Sequence, residues 1–144
     1  MNRVSITENA INDAVKRFLE GHGWKNVTAL KGREKGVDVS GVSQDDRRRV
    51  EVESKGGTSG DPKSKRFGMP FDSSQVDVHV AEAVYKAIRY REQGPRNVVL
   101  VALPDDEFHR SRIRPVERTL KQLGIGFLAV SDVGVQIVFG TATP

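Results

Sequence analysis

Two short segments carry the residue types that hydrolytic chemistry uses. Gly36-Val37-Asp38-Val39 places one acid in an apolar setting, and after twelve intervening residues Val52-Glu53-Ser54-Lys55 places an acid and a lysine two apart. Two carboxylates can hold a hard divalent cation, and an ammonium beside them can orient or deprotonate a water. Alternation along a strand assigns Arg49, Glu51, Glu53 and Lys55 to one face and Val50 and Val52 to the other. Glu53 and Lys55 then stand roughly 6–7 Å apart on that face, and hairpin pairing brings Asp38 beside Glu53. The main-chain carbonyl of Ser54 offers a further oxygen ligand. Mg²⁺ keeps several waters and takes one or two carboxylates from protein, so two acids suffice.

The charge balance points to the class of substrate. Lys and Arg number 23 against 19 Asp and Glu in 144 residues, a net charge of +4 and a pI near 9.6, which suits a phosphate-bearing partner. Residues 56–73, rich in Gly, Ser, Pro and charge, read as a long loop directly after Lys55. Its Lys63, Lys65 and Arg66 are the preferred phosphate contacts. A second basic stretch, Arg110, Arg112, Arg114, Arg118 and Lys121, is offset in sequence only by Glu117. Contacts of this kind make binding weaken steeply with salt. No base-reading motif is present. Cysteine is absent, which excludes disulfides and thiolate metal sites and fits a reducing cytosol. No apolar run reaches the ~18 residues of a membrane span, and residues 1–10 lack the apolar stretch of a signal peptide. A cytoplasmic protein is expected.

The elements that must position these residues follow from periodicity and punctuation. Ser5-Ile6-Thr7-Glu8 reads as a capping box before a helix with Ile11, Ala14, Val15, Phe18 and Leu19 at helical spacing, stopped by Gly21 and Gly23. Strands are expected over 27–30, 36–41 and 48–55, with connections short enough for antiparallel hairpins. A second helix spans about 74–93, ended by Gly94-Pro95, and residues 97–103 form a strand apolar enough to be buried on both faces. Pro115 opens a third helix with Val116, Leu120 and Leu123 on one side. Residues 126–130 and 135–139 close the chain as two strands. The order is α-β-β-β-α-β-α-β-β, an α/β chain. The helical crossover requires a mixed sheet flanked by helices, and the length suits a single domain, 1–144.

At Asp38 and Glu53-Ser54-Lys55, and in the helix–three strands–helix–strand order across residues 5–103, the chain resembles the PD-(D/E)XK nuclease superfamily, the restriction-endonuclease-like fold. The resemblance implies an αβββαβ core and a Mg²⁺- or Mn²⁺-dependent DNA endonuclease in restriction, repair or junction processing. Asp38 and Glu53 would be its metal ligands and Lys55 its water-positioning group. Glu8, on the stripe of Ile11 and Val15, and Gln75, opening the second helix as a glutamine does in the Mrr-like and resolvase-like branches, match accessory positions. Val37 stands where the family name has proline, and His79 where a glutamine-x-x-x-tyrosine motif has tyrosine, so that branch is not claimed. A homodimer is expected, since one small domain does not easily cut both strands, with the C-terminal strand pair as candidate interface.

Each of these residues also has a plainer reading. Asp38 is equally a turn-proximal acid bonded to backbone, and Glu53 and Lys55 an exposed ion pair contributing only ~0–1 kcal/mol. Glu51 is expected to pair with Arg49 or a neighbouring strand, Glu8 to close the capping box, and Gln75, His79 and Glu82 to share a solvated helix face. His22 and His109 sit in loop-like contexts, the Arg47–Arg49 run suits a solvated turn, and Trp24 is expected in the core. A non-cutting nucleic-acid-binding module and a metal-independent interaction domain are the rival functions.

Overall fold

The computed structural model describes residues 5–32, 34–61, 63–65 and 67–144. Its elements run α1 (Glu8–Gly21), β1 (Lys25–Ala29), β2 (Val39–Val42), β3 (Arg49–Ser54), α2 (Ser73–Gln93), β4 (Val98–Pro104) and α3 (Glu107–Ile113). A 3-10 turn (Arg114–Val116), α4 (Glu117–Gln122), β5 (Ile125–Ser131) and β6 (Gly134–Phe139) complete the order. The six strands lie side by side in sequence order. Pairs β1–β2, β2–β3 and β5–β6 are antiparallel, and β3–β4 and β4–β5 are parallel, giving the mixed α/β sheet that the crossovers require.

Strand β4 is buried at every position and divides the core. Val98, Leu100 and Ala102 face α1, with Val50, Val52, Leu128 and Val130 alongside, and Val99, Val101 and Leu103 face α2. Each fully buried Val or Leu contributes about 1.5–3 kcal/mol, which is why the strand that is apolar at all seven positions takes the centre. Because β3, β4 and β5 advance in one direction across the sheet, crossovers of the same hand put their helices on one face. Val76, Val80, Ala83 and Ala87 of α2 share that face with Ile113 and Leu120. Among the described residues α1 is the helix that covers the other face, through Ile11, Val15 and Leu19. Its far end is tied down by Trp24, whose buried indole Nε1 donates to the Ala142 carbonyl at 2.7 Å.

Three expectations need correction. The α1 cap is Thr7, whose side chain accepts from Ala10 N, so Ser5 and Glu8 form no capping box and the Glu8 side chain is released to its surroundings. The single helix opening at Pro115 is instead two short helices around a 3-10 turn that contains Pro115. Of Val116, Leu120 and Leu123 only Leu120 is buried, and Ile113 of α3 supplies the other core contact. His109 lies inside α3 and not in a loop.

The long loop begins and returns at one place. Gly57 N donates to the Ile6 carbonyl at 2.7 Å, and Phe71 N donates to the Gly57 carbonyl at 3.0 Å. Just before it, a Cβ on Gly56 would stand 2.5 Å from Glu8 N and 2.9 Å from the Thr7 carbonyl carbon, so only glycine lets β3 exit against the start of α1. Gly56→Ala is therefore expected to lower unfolding stability by about 1–3 kcal/mol and to raise amide exchange at residues 8–10 of α1. A denaturant melt and an exchange profile matching the wild type would refute this close approach.

Candidate active site

The β2–β3 register sets the two acids face to face. Val39 pairs with Val52, and both point into the α1-side core. One residue further out, Asp38 meets Glu53, and alternation turns both side chains to the α2 side. Asp38 Oδ2 accepts from the Ser54 amide at 2.9 Å. Lys55 follows on the same face as Glu53, its amide bonded to the Ala102 carbonyl of β4. The side chains at 38, 53 and 55 thus converge.

Helix α2 lays a polar stripe over them. Glu82, Lys86 and Tyr90, spaced at i, i+4 and i+8, meet the strand residues one after another. Lys55 Nζ is 2.9 Å from Glu82 Oε2. Lys86 Nζ is 3.4 Å from Glu53 Oε1, and the Tyr90 hydroxyl donates to Glu53 Oε2 at 2.8 Å. Glu53 is only 2 % exposed, so these partners are what makes its burial tolerable. His79, one turn before Glu82, is half-buried beside the edge of Phe71. Glu82 and His79 are therefore members of the cluster and not merely solvated helix surface. Lys86 and Tyr90 were not singled out in the sequence; their helical spacing from Glu82 is the signal that reaches them.

The electrostatics follow from crowding. Burial, then the neighbouring Asp38 charge, push the Glu53 carboxyl up to about 7 against the Tyr90 hydrogen bond and the two lysines. Asp38 is raised chiefly by burial, opposed by the Ser54 amide and the lysines. Glu8 is raised by burial and by Asp38. Burial alone would lower Lys55, but the hydrogen bond and charge of Glu82, with Glu8 and Glu53, carry it above its usual value. Three acids lifted together beside two ammonium groups form a site short of positive charge.

A cleft of about 550 Å³ opens beside this cluster, with Glu8, Lys55, Thr58, Lys63, Phe71 and His79 in its wall. Lys63 and Lys65 are exposed in the loop, Lys63 at the cleft itself; Arg66 lies outside the described residues. Gln75 is taken up by the α2 cap: Asp72 accepts from Gln75 N at 2.9 Å and Gln75 Oε1 accepts from Asp72 N at 3.0 Å. Glu51 accepts from Asn97 Nδ2, away from the cluster. The second basic stretch is offset by more than Glu117. Arg110 pairs with Asp105, Arg112 with Asp77, Arg114 with Glu107 and Lys121 with Glu117.

A divalent cation fits the donor set by charge, since Asp38 and Glu53 are adjacent carboxyls both raised chiefly by burial, Glu53 also by the Asp38 charge. Among the described residues no group of three or more Asp, Glu or His side chains is gathered as a metal cage. Two carboxylates completed by water are the kind of site that Mg²⁺ accepts. Among the described residues no helix is long and apolar enough to cross a membrane. The chain matches no family model, no curated protein and no solved structure.

The raised Glu53 carboxyl links stability to pH. Between the usual value of 4.5 and about 7 the folded protein holds a proton that the unfolded chain releases, so stability falls as pH rises through that window. In metal-free buffer Glu53→Gln is expected to be more stable than wild type at pH 8, by up to about 3 kcal/mol, with the difference shrinking toward pH 5. A pH-independent difference in urea melts would show that Glu53 does not titrate in this range.

Proposed function

We propose that this chain is a divalent-metal-dependent deoxyribonuclease that hydrolyses phosphodiester bonds in restriction, repair or junction processing. The observation that carries the reading is the register that sets Asp38 opposite Glu53 across β2–β3, with Lys55 two residues on in the wall of the adjoining cleft. The element order and the antiparallel-then-parallel strand pattern agree with the restriction-endonuclease-like αβββαβ core that the chain resembles.

In this reading Asp38, Glu53 and the Ser54 carbonyl would hold Mg²⁺ or Mn²⁺, which would supply Lewis-acid activation of the phosphate and a more acidic water. Lys55, kept as an ammonium by its pairing with Glu82, orients the attacking water and neutralises charge on the phosphate. Tyr90 and Lys86 fix the Glu53 carboxylate from behind. Glu8, at the first position of α1, adds a third negative charge at the cleft wall. Lys63 and Lys65 follow the DNA backbone from the loop. Two copies, joined through the C-terminal strands, would cut both strands of a duplex; Val133 and Ile137 are exposed there.

One observation favours a second reading. The pairs Lys55–Glu82 and Lys86–Glu53 neutralise two of the acids without a metal ion, as a metal-independent interaction domain would need. Calorimetry with Mn²⁺ separates the two: the nuclease binds it and Glu53→Gln does not, whereas the interaction domain binds none. With plasmid, branched and single-stranded DNA in Mn²⁺, Lys55→Ala is expected to keep the metal and lose on the order of 10²–10³-fold in cleavage rate. Equal cutting by both proteins would remove Lys55 from the mechanism.

A further inference from the structure

The long loop between β3 and α2 carries large apolar side chains on its outside. Phe67 is 50 % exposed and Met69 is 55 % exposed. Phe71, two residues on, is half-buried in the cleft wall, its ring centroid 4.6 Å from that of His79. Every second residue from 67 to 71 is thus large and apolar, and the series starts in solvent and ends in the cleft. The main chain beneath it is held at each step. Phe67 N donates to the Ser64 carbonyl at 3.1 Å, and Phe67 bridges to Ser59. The Met69 carbonyl accepts from the Thr58 hydroxyl at 2.6 Å, and Phe71 N donates to the Gly57 carbonyl at 3.0 Å. Apolar groups gathered in solvent on so well anchored a segment mark a contact surface.

Charge says what that surface meets. Residues 56–71 contain Lys63, Lys65 and Arg66 against the single acid Asp61. An Asp61 oxygen is already engaged within the loop, accepting from Lys63 N at 2.9 Å. Lys63 and Lys65 are exposed, and Lys63 shares the cleft wall with Lys55 and Phe71. The complementary ligand carries regularly spaced anions and flat apolar faces together. An unpaired nucleic-acid strand has both, since every base offers a face for stacking beside its phosphate. In a duplex those faces are covered by neighbouring base pairs, which leaves Phe67 and Met69 nothing to pack against. A lipid surface would meet the lysines, but it cannot follow the apolar series into a cleft of about 550 Å³.

We propose that residues 56–71 form a seat for an unpaired nucleic-acid strand, with one base stacked on Phe67, the next packed on Met69, and their phosphates at Lys63 and Lys65. The strand then enters the cleft past Phe71 and reaches Lys55. The seat rests on the nucleic-acid reading of that cleft and names its substrate class: single strands, or the unpaired arms of branched molecules, in preference to blunt duplex. Two successive layers of pairing, at Gly57 with Phe71 and at Ser59 with Phe67, fix the seat relative to β3. The apolar side chains are thereby presented without an ordering cost at the moment of binding.

Fluorescence anisotropy of the full chain with a labelled single strand and a blunt duplex of equal length, in EDTA, tests the seat without any cutting. The single strand is expected to bind more tightly. Phe67→Ala and Met69→Ala should each weaken it by about tenfold and leave the salt dependence unchanged, whereas Phe67→Tyr, which keeps the ring, should bind as the wild type does. Changing Lys63 and Lys65 together to alanine should instead reduce the slope of log K against log salt by roughly 1.4. Wild-type affinity in Phe67→Ala and Met69→Ala, or an equal loss on duplex, overturns the seat. So does binding to phosphatidylserine vesicles that depends on Phe67 while the oligonucleotide is ignored. Single-strand binding that needs Phe67, in a protein that cuts no DNA with Mn²⁺, sinks the nuclease reading and leaves the seat standing.

Discussion

A carboxylate almost out of water, between the third strand and the long helix, constrains the rest of this molecule. Glu53 can be buried there only if donors meet both of its oxygens, and Tyr90 and Lys86 do so from successive turns of α2. That requirement fixes the rotation of α2 about its axis. It also leaves Asp38, drawn in by the strand register, without a lysine of its own, and the outcome is a pocket of unbalanced negative charge. The two core clusters on either side of β4 are apolar, and the Glu53 carboxyl stands at their rim.

Topology decides where that pocket falls. The antiparallel pairs bring β2 beside β3, and the parallel crossover then carries the chain directly over the C-terminal end of β3. Helix α1 reaches the same end from the opposite face, because Gly56 permits backbone contact with Thr7 and Glu8. Four segments, α1, the entry to β2, the end of β3 and α2, therefore deliver Glu8, Asp38, Glu53, Lys55 and the α2 stripe to one rim of the sheet. Sites at strand ends are common in open α/β sheets for this reason: side chains there escape the packed interior without leaving the rigid scaffold.

Much of this was legible in the amino-acid order. Period-two alternation along residues 49–55 fixes the face of Glu53 and Lys55, and short connections fix the antiparallel neighbours. The uninterrupted apolar run at 97–103 gives the central strand. What escaped was information held in space. Lys86 and Tyr90 look like ordinary helix surface until Glu53 is known to be buried. Helix α3 is seven residues long with only two of them buried, too short for periodicity to register, and its Asp106 cap precedes no evident apolar stripe. Ser5 and Thr7 are equally competent caps, and only the fold selects Thr7. The arginines after residue 109 resembled a free basic patch because their acids, Asp77 and Asp105 among them, lie in other elements.

The excursion that leaves β3 and rejoins the chain before α2 is clasped at Gly57, which hydrogen-bonds both to Ile6 and to Phe71, and again at Thr58, which bridges to Pro70 and donates from its hydroxyl to the Met69 carbonyl at 2.6 Å. Mechanically it is an appendage on a closed neck. Beyond the pairing of Ser59 with Phe67, the exposed Lys63 and Lys65 form its outer part, which reaches the site through the cleft wall that Asp61 and Lys63 share with Lys55 and Glu8. Sequence change in that outer part is separated from the sheet by two successive layers of backbone pairing.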